Sequence, residues 1–226
     1  ADSTHRLNLR RVFGLGNRRT ESDFEAATRP FPQFPNVDFI VAAPLARGTM
    51  GYQGIAEKDV YDVLADVKSR FPIDEDRIYL TGLDMGGGGA LRLALTRPSL
   101  WAAVAALCPD IPPGIDELAP NAWGLPVLLA HGSLDPLIPP ASIRSWGDRL
   151  QAAGARLEHI EFPHLKHNVW DQVYRGGAIF RWFARQRRQR WPERVRLVAR
   201  SYAYRSSYWV EIDALRTGEL ASIDAQ

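Results

Sequence analysis

Residues 77–89 read Arg-Ile-Tyr-Leu-Thr-Gly-Leu-Asp-Met-Gly-Gly-Gly-Gly, and the fold turns on how that stretch is read. Arg77 to Thr81 has the aliphatic and β-branched texture of a short strand, whereas Ala90 to Thr96 (ALRLALT) predicts a helix that ends before Pro98. Between them a glycine-rich turn reverses the chain within a few residues. Strand, sharp turn and helix form the first half of a crossover, and the same alternation recurs on both sides.

Toward the N-terminus, Val37 to Ala43 (VDFIVAA) predicts a buried parallel strand closed by Pro44. Ala56 to Phe71 then places Val60, Val63, Leu64, Val67 and Phe71 on one face of an amphipathic helix. Toward the C-terminus, Ala102 to Leu107 and Leu125 to Ala130 predict buried strands. Ala141 to Ala153 predicts a helix stopped by Gly154, Arg156 to Phe162 a strand stopped by Pro163, and Val169 to Arg187 the last helix. Units of this kind, joined by right-handed crossovers, predict an α/β fold with a mostly parallel sheet and helices on both faces. After Pro192 the pattern changes. Arg194 to Tyr204 and Tyr208 to Ile212 predict two strands with a turn at Arg205 to Ser207, so residues 1–188 are expected to form the α/β domain and residues 189–226 a short C-terminal β extension.

A chain of 226 residues, 46% hydrophobic and 24% charged, can bury one sizeable core, which excludes disordered, collagenous and coiled-coil classes. Apolar runs such as Val127 to Ala130 fall far short of the roughly 20 residues of a membrane span, so no membrane partner is expected. Cys108 is the only cysteine; it can form no internal disulfide and leaves oxidising and reducing compartments equally open. No leader is legible at Ala1, but a mature secreted chain would read the same, and location stays open between secreted or periplasmic and cytoplasmic. Eight arginines crowd between Arg181 and Arg200 with Glu193 the only acid among them, a run that can mark nucleic-acid binding. They alternate with Trp182, Phe183, Trp191, Val195 and Leu197, which favour burial, so no nucleic-acid partner is expected.

In an open parallel sheet, ligands sit beyond the carboxyl ends of the strands. Three predicted strands end in polar residues suited to chemistry. The first runs into Asp84 with Gly82 and Gly86 two residues to either side, the layout of a nucleophile elbow. The second runs into His131-Gly132-Ser133-Leu134-Asp135, placing a carboxylate at a strand end. The third runs into a loop that carries His164 and His167.

Elbow residue, acid and histidine in that chain order resemble the α/β-hydrolase superfamily, and more narrowly esterases similar to polyhydroxybutyrate depolymerases and prolyl oligopeptidases. The resemblance covers residues 12–185. It is carried by Gly82 to Gly87 (GLDMGG, where such esterases have GLSMGG), His131 to Asp135 with Pro139 (HGSLDPLIP), and His167 to Trp170 (HNVW). Residues 194–213 are similar to the tail of relatives with a C-terminal β segment. The resemblance implies an α/β-hydrolase fold without a large cap, a small-molecule ester or acyl substrate, and no cofactor or metal. Asp135 is implied as the acid that orients His167, and His167 as the general base. The N–H of Met85 is implied as one oxyanion donor; Leu15, in the Phe13 to Asn17 turn after a strand over Leu7 to Val12, stands where relatives place a second. Few residues precede that turn, so the strands that usually open the sheet are expected to be missing or shortened, with the edge covered by the tail or by a second copy in a homo-oligomer.

The departure is Asp84, which stands at the position of the nucleophilic serine. One reading makes it a carboxylate nucleophile toward an epoxide, halide or lactone, but the segment between Leu107 and Leu125 is too short for the cap such enzymes need. A second makes the chain an esterase scaffold silenced at its nucleophile, the carboxylate competing for the oxyanion donors. A third makes Asp84 a general base or cation ligand. A non-catalytic binding protein on the same fold is the alternative outside enzymology.

Trp123, Trp170 and Tyr52 are candidate walls of an acyl pocket. Asp110 rivals Asp135 as the acid, though Asp135 has the better spacing to the histidine loop. His131 reads as a packed strand-end histidine. His164 and His167 share a loop with no third ligand at metal spacing. The run Gly86 to Gly89 lacks the Lys-Ser/Thr of a phosphate loop.

Overall fold

A computed structural model of the chain describes residues 38–45, 47 and 51–226. The chain divides into two compact units, one holding Trp170–Arg185 with the described residues up to Ile73, the other holding Asp74–Val169 with Gln186–Gln226.

In the second unit, four strands lie in sequence order and all pair in parallel: β1 (Tyr79–Leu83), β2 (Ala103–Leu107), β3 (Pro126–Gly132) and β4 (Arg156–Phe162). Every residue of β2 (AVAAL) and β3 (PVLLAHG) is buried, as expected of central parallel strands covered on both faces. β4 (RLEHIEF) alternates exposed and half-buried positions and pairs only with β3 among the described residues.

The β1–β2 crossover contains a helix, Met85–Thr96, and the β3–β4 crossover another, Pro140–Ala152. With the helix Ile55–Arg70 of the other unit, these are α1 (Ile55–Arg70), α2 (Met85–Thr96) and α3 (Pro140–Ala152) in chain order. Leu91 and Leu95 of α2 and Ile143 and Leu150 of α3 are fully buried, as are Val104, Leu107, Val127 and Leu129 of the sheet. Each such side chain contributes about 1.5–3 kcal/mol relative to exposure. The connection from β2 to β3 holds a 3-10 turn, Asp116–Ala122, in place of a cap domain.

Two predicted boundaries move at the elbow. β1 runs two residues further, to Leu83, and α2 starts at Met85, so all four glycines belong to the helix's first turns. Two of them leave no room for a side chain: a Cβ on Gly87 would press on the Leu107 carbonyl and one on Gly88 would overlap the Asp110 carbonyl, as a Cβ on Gly82 of β1 would overlap the Gly86 carbonyl.

The tail corrects the sequence expectation. β5 (Val195–Ala199) pairs antiparallel with β8 (Ala221–Ala225), a strand the sequence did not signal. The expected second strand is reduced to a small hairpin of β6 (Ser206–Ser207) and β7 (Val210–Glu211), turning at Tyr208 (φ 53°) and Trp209 rather than at Arg205 to Ser207. The Asn121 side chain clasps β5. Its Nδ2 donates to the Val198 carbonyl (2.9 Å), and its Oδ1 accepts from the Val198 N–H (2.6 Å).

In the other unit, α1 matches its prediction within one residue, although of its apolar face only Val60 is fully buried and Phe71 is exposed. Residues 38–45 form no strand: all are exposed or half-buried, Ile40 among the exposed, and Phe39 meets the Phe180 ring at 5.1 Å. The predicted helix over Val169 to Arg187 breaks into α4 (Trp170–Val173) and α5 (Ala178–Ala184). Gly176 (φ 56°) and Gly177 (φ 73°) adopt left-handed backbone between them, which ends a right-handed helix. The predicted strand over Leu7 to Val12 and the donor Leu15 lie outside the described residues.

Candidate active site

Asp84 is the single residue between β1 and α2, and its backbone (φ 53°, ψ −124°) lies in a region that L-residues rarely adopt. Main-chain bonds enforce it. The Asp84 N–H donates to the Leu107 carbonyl (2.9 Å), and its own carbonyl accepts from Gly88 (3.0 Å) and Asp110 (3.0 Å). Such over-determination is what lets a strained residue persist. An aspartate at a helix N-cap ordinarily folds its carboxylate back onto the first N–H groups, but Asp84 makes no such bond. Its carboxylate, 47% exposed, points to His167 instead, with Oδ1 3.5 Å from Nε2.

His167 lies in the loop after β4. Gly132 lets that loop close on the end of β3, because any Cβ there would overlap the Lys166 and Leu165 carbonyls. Bonds from Ser133 N–H to the Phe162 carbonyl (3.0 Å), Leu134 N–H to the Leu165 carbonyl (2.9 Å) and His164 N–H to Ser133 Oγ (3.1 Å) lace the two loops together. Asp135 is thereby set 2.8 Å from His167 Nδ1 through Oδ2, with a fully buried side chain. Its Oδ1 accepts the N–H groups of Leu137 (2.9 Å) and Ile138 (3.0 Å). Burial raises the Asp135 carboxyl, but the Ile138 N–H, the His167 ring and the Leu137 N–H outweigh it and hold it below the usual range. The result is a carboxylate fixed by three donated or shared bonds at one end of an imidazole, with a second carboxylate at the other.

The structure therefore brings Asp84, Asp135 and His167 together from three strand ends. Met85 contributes the first N–H of the twelve-residue α2, beside Asp84. Asp110 supports the elbow through its N–H, not its exposed carboxylate.

Other expectations fall elsewhere. Trp123 precedes β3 and so sits at the amino end of the sheet, away from the strand ends that carry Asp84, Asp135 and His167, with the guanidinium groups of Arg194 (4.6 Å) and Arg196 (4.4 Å) over its ring. Tyr52, whose hydroxyl donates to the Pro44 carbonyl (3.3 Å), and Trp170, which opens α4, belong to the other unit. His131 is buried with Nδ1 3.2 Å from His159 Nε2 and Nε2 3.3 Å from Glu161, and burial pushes it below its ordinary value.

One neighbour of the site had no signal beyond its place after a strand. Cys108 is buried, and its Sγ, a carboxylate oxygen of Asp135 and a ring nitrogen of His167 lie within 4.8 Å of one another, the one such three-donor group among the described residues. The set does not suit a metal ion: burial and the charge of Asp135 push the thiol up to about 12, far from the thiolate a metal needs, and Nδ1 of His167 is committed to Asp135.

A parallel sheet with a strained residue between its first strand and a helix, and an acid and a histidine on the loops after its third and fourth strands, defines an α/β-hydrolase. Residues 54–175 match the phospholipase/carboxylesterase family, and the chain belongs to it. NocK of Nocardia uniformis subsp. tsuyamanensis, whose name suggests an esterase, is 39% identical over 67 residues; the match covers 30% of this chain and 19% of NocK. Among solved structures, a thermostable esterase superposes with a TM-score of 0.53 at 24% identity, covering 60% of this chain and 38% of that one. A Bacteroides ovatus protein provisionally named a dipeptidyl aminopeptidase IV gives 0.51 at 23% identity, over 58% and 22% of the two chains. The chain thus spans about a fifth of its curated relative's length and less than half of these two structures'.

Proposed function

We propose that this chain is a carboxylic-ester hydrolase scaffold silenced at its nucleophile, acting in its competent form on small-molecule acyl esters as the polyhydroxybutyrate depolymerase-like esterases do. The observation that carries the reading is the position of His167, 2.8 Å from Asp135 through Nδ1 and 3.5 Å from Asp84 through Nε2, with Asp84 on the strained backbone of the elbow. A serine hydroxyl at the same Cα would give its proton to Nε2 and attack the ester carbonyl. Asp135 would steady the imidazolium, and the Met85 N–H would take the oxyanion, with a second donor expected at Leu15. Asp84 cannot follow this course. Its attack on an ester carbonyl expels an alkoxide and leaves a mixed anhydride, and its negative charge opposes the oxyanion beside the same N–H.

The second reading rests on the exposure of the Asp84 carboxylate. A carboxylate can open an epoxide or displace a halide at carbon to give an alkyl ester, which water activated by His167 would hydrolyse. Hydrolysis of a short-chain p-nitrophenyl ester by the chain, Asp84→Ser and Asp84→Ala separates the two. Turnover confined to Asp84→Ser, at least hundreds-fold above the others, is the expected result. Activity in the unmodified chain that Asp84→Ala abolishes defeats the silenced-esterase reading in favour of carboxylate chemistry.

A further inference from the structure

Cys108 lies one residue beyond β2, at φ 41°, and its N–H donates to the Ala130 carbonyl (2.7 Å), so the backbone there is an extension of the β2–β3 ladder. Its side chain turns between the two loops that carry Asp135 and His167. Sγ is 2.9 Å from the His167 carbonyl oxygen, and the thiol also meets the Asp135 carboxylate and the backbone at Gly132 and Val169. One atom at the end of β2 thus touches the end of β3, the acid, and the main chain at and just after the histidine.

We infer that Cys108 is a positioning residue for the Asp135–His167 pair, its thiol holding the His167 main chain and the buried edge of Asp135 in one arrangement. The inference rests on the proposed role of those two residues. The thiol suits the task because it stays neutral there: a charged group would perturb Asp135, and a group without a proton would take from the His167 carbonyl the donor it holds beside the Val169 N–H (3.0 Å). Sulfur's long bonds and soft surface also fill a gap bounded by three segments.

Three substitutions separate bonding from packing. Valine keeps most of the volume and no donor, alanine keeps neither, and serine keeps a donor. In the Asp84→Ser background, Cys108→Val and Cys108→Ala are expected to lower kcat by about 10-fold or more with KM nearly unchanged, since small displacements of a catalytic group cost that much. Cys108→Ser should recover most of the loss. A second readout needs no turnover: in the chain with Asp84 in place, the far-downfield proton signal of His167 Nδ1–H bonded to Asp135 should persist in Cys108→Ser and broaden or vanish in the valine and alanine forms. Retained kcat and signal in Cys108→Val, a serine form no better than alanine, or no downfield signal from the unmodified chain would each overturn the inference. If Asp84→Ser turns over no ester, the esterase reading fails by itself, and the proton signal still decides the role of Cys108.

Discussion

The two ends of the four-stranded sheet handle charge in opposite ways. At the carboxyl end, Asp135 and His167 are held by main-chain N–H groups and by each other through single directed bonds. At the amino end, charge is pooled. Asp76, just before β1, receives Arg187 (3.1 Å), Arg188 (3.0 Å) and Arg190 (2.8 Å), while Asp224 of β8 binds Arg194 (2.7 Å) and Arg196 (3.0 Å) beside Trp123. Directed bonds fix one geometry for chemistry. Pooled guanidinium groups tolerate small shifts and serve to fasten the tail to its unit. The arginine run that in sequence suggested a nucleic-acid footprint is thus mostly an internal clasp, with Arg200 also paired, to Glu117.

The comparison breaks if the two ends respond alike to the loss of one group. The largest effect is expected at the carboxyl end. In the Asp84→Ser form, His167→Ala should lower kcat by about 10³-fold or more while the melting temperature barely moves, read from ester hydrolysis and a thermal melt of the same preparation. Asp76→Asn should do the reverse. It leaves three guanidinium groups facing a neutral amide, so the melting temperature should fall further than for any other carboxylate replacement in this cluster, while Asp84→Ser turnover measured below the transition persists. A kcat collapse in Asp76→Asn without unfolding would show that the clasp reaches the site.

The smallest effect concerns Asp224. Arg194 above all, then Arg196, pull its carboxyl down to about 2 against opposing desolvation. A depressed carboxyl contributes stability that is present above its unfolded value, near ~3.9, and is lost as pH falls through about 2. The melting temperature of the chain should therefore exceed that of Asp224→Asn by a small margin at neutral pH, and the margin should close between about pH 4 and pH 2 and shrink in high salt. A margin that widens in acid would contradict the pairing.

What was legible in the sequence follows the same division. β4 falls on its predicted residues, and Asp84, Asp135 and His167 could be located as candidates because each follows a legible strand, β3 by its continuous hydrophobic run and β4 by apolar residues spaced among polar ones. The tail was not. β8 (ASIDA) is short and half polar, and only its pairing with β5 makes it a strand. The sheet end that Trp123 occupies was not legible, because a loop aromatic carries no mark of it; its partners, Arg194 and Arg196, come from a distant segment. The break in the last helix was written as Gly176-Gly177, but apolar residues on either side kept a helical spacing that concealed it. Cys108 was invisible as a neighbour of the site because its role depends on a φ of 41° that no pattern announces.

Asn121 gives the tail sheet a direction of growth. By taking both polar groups of Val198 it stands in for one residue of a neighbouring strand and denies that side of β5 to any other chain. Among the described residues, the outer rim of β8 is the side of this two-stranded sheet that carries no such clasp. A single amide thus guards one flank of the tail sheet against intermolecular annealing.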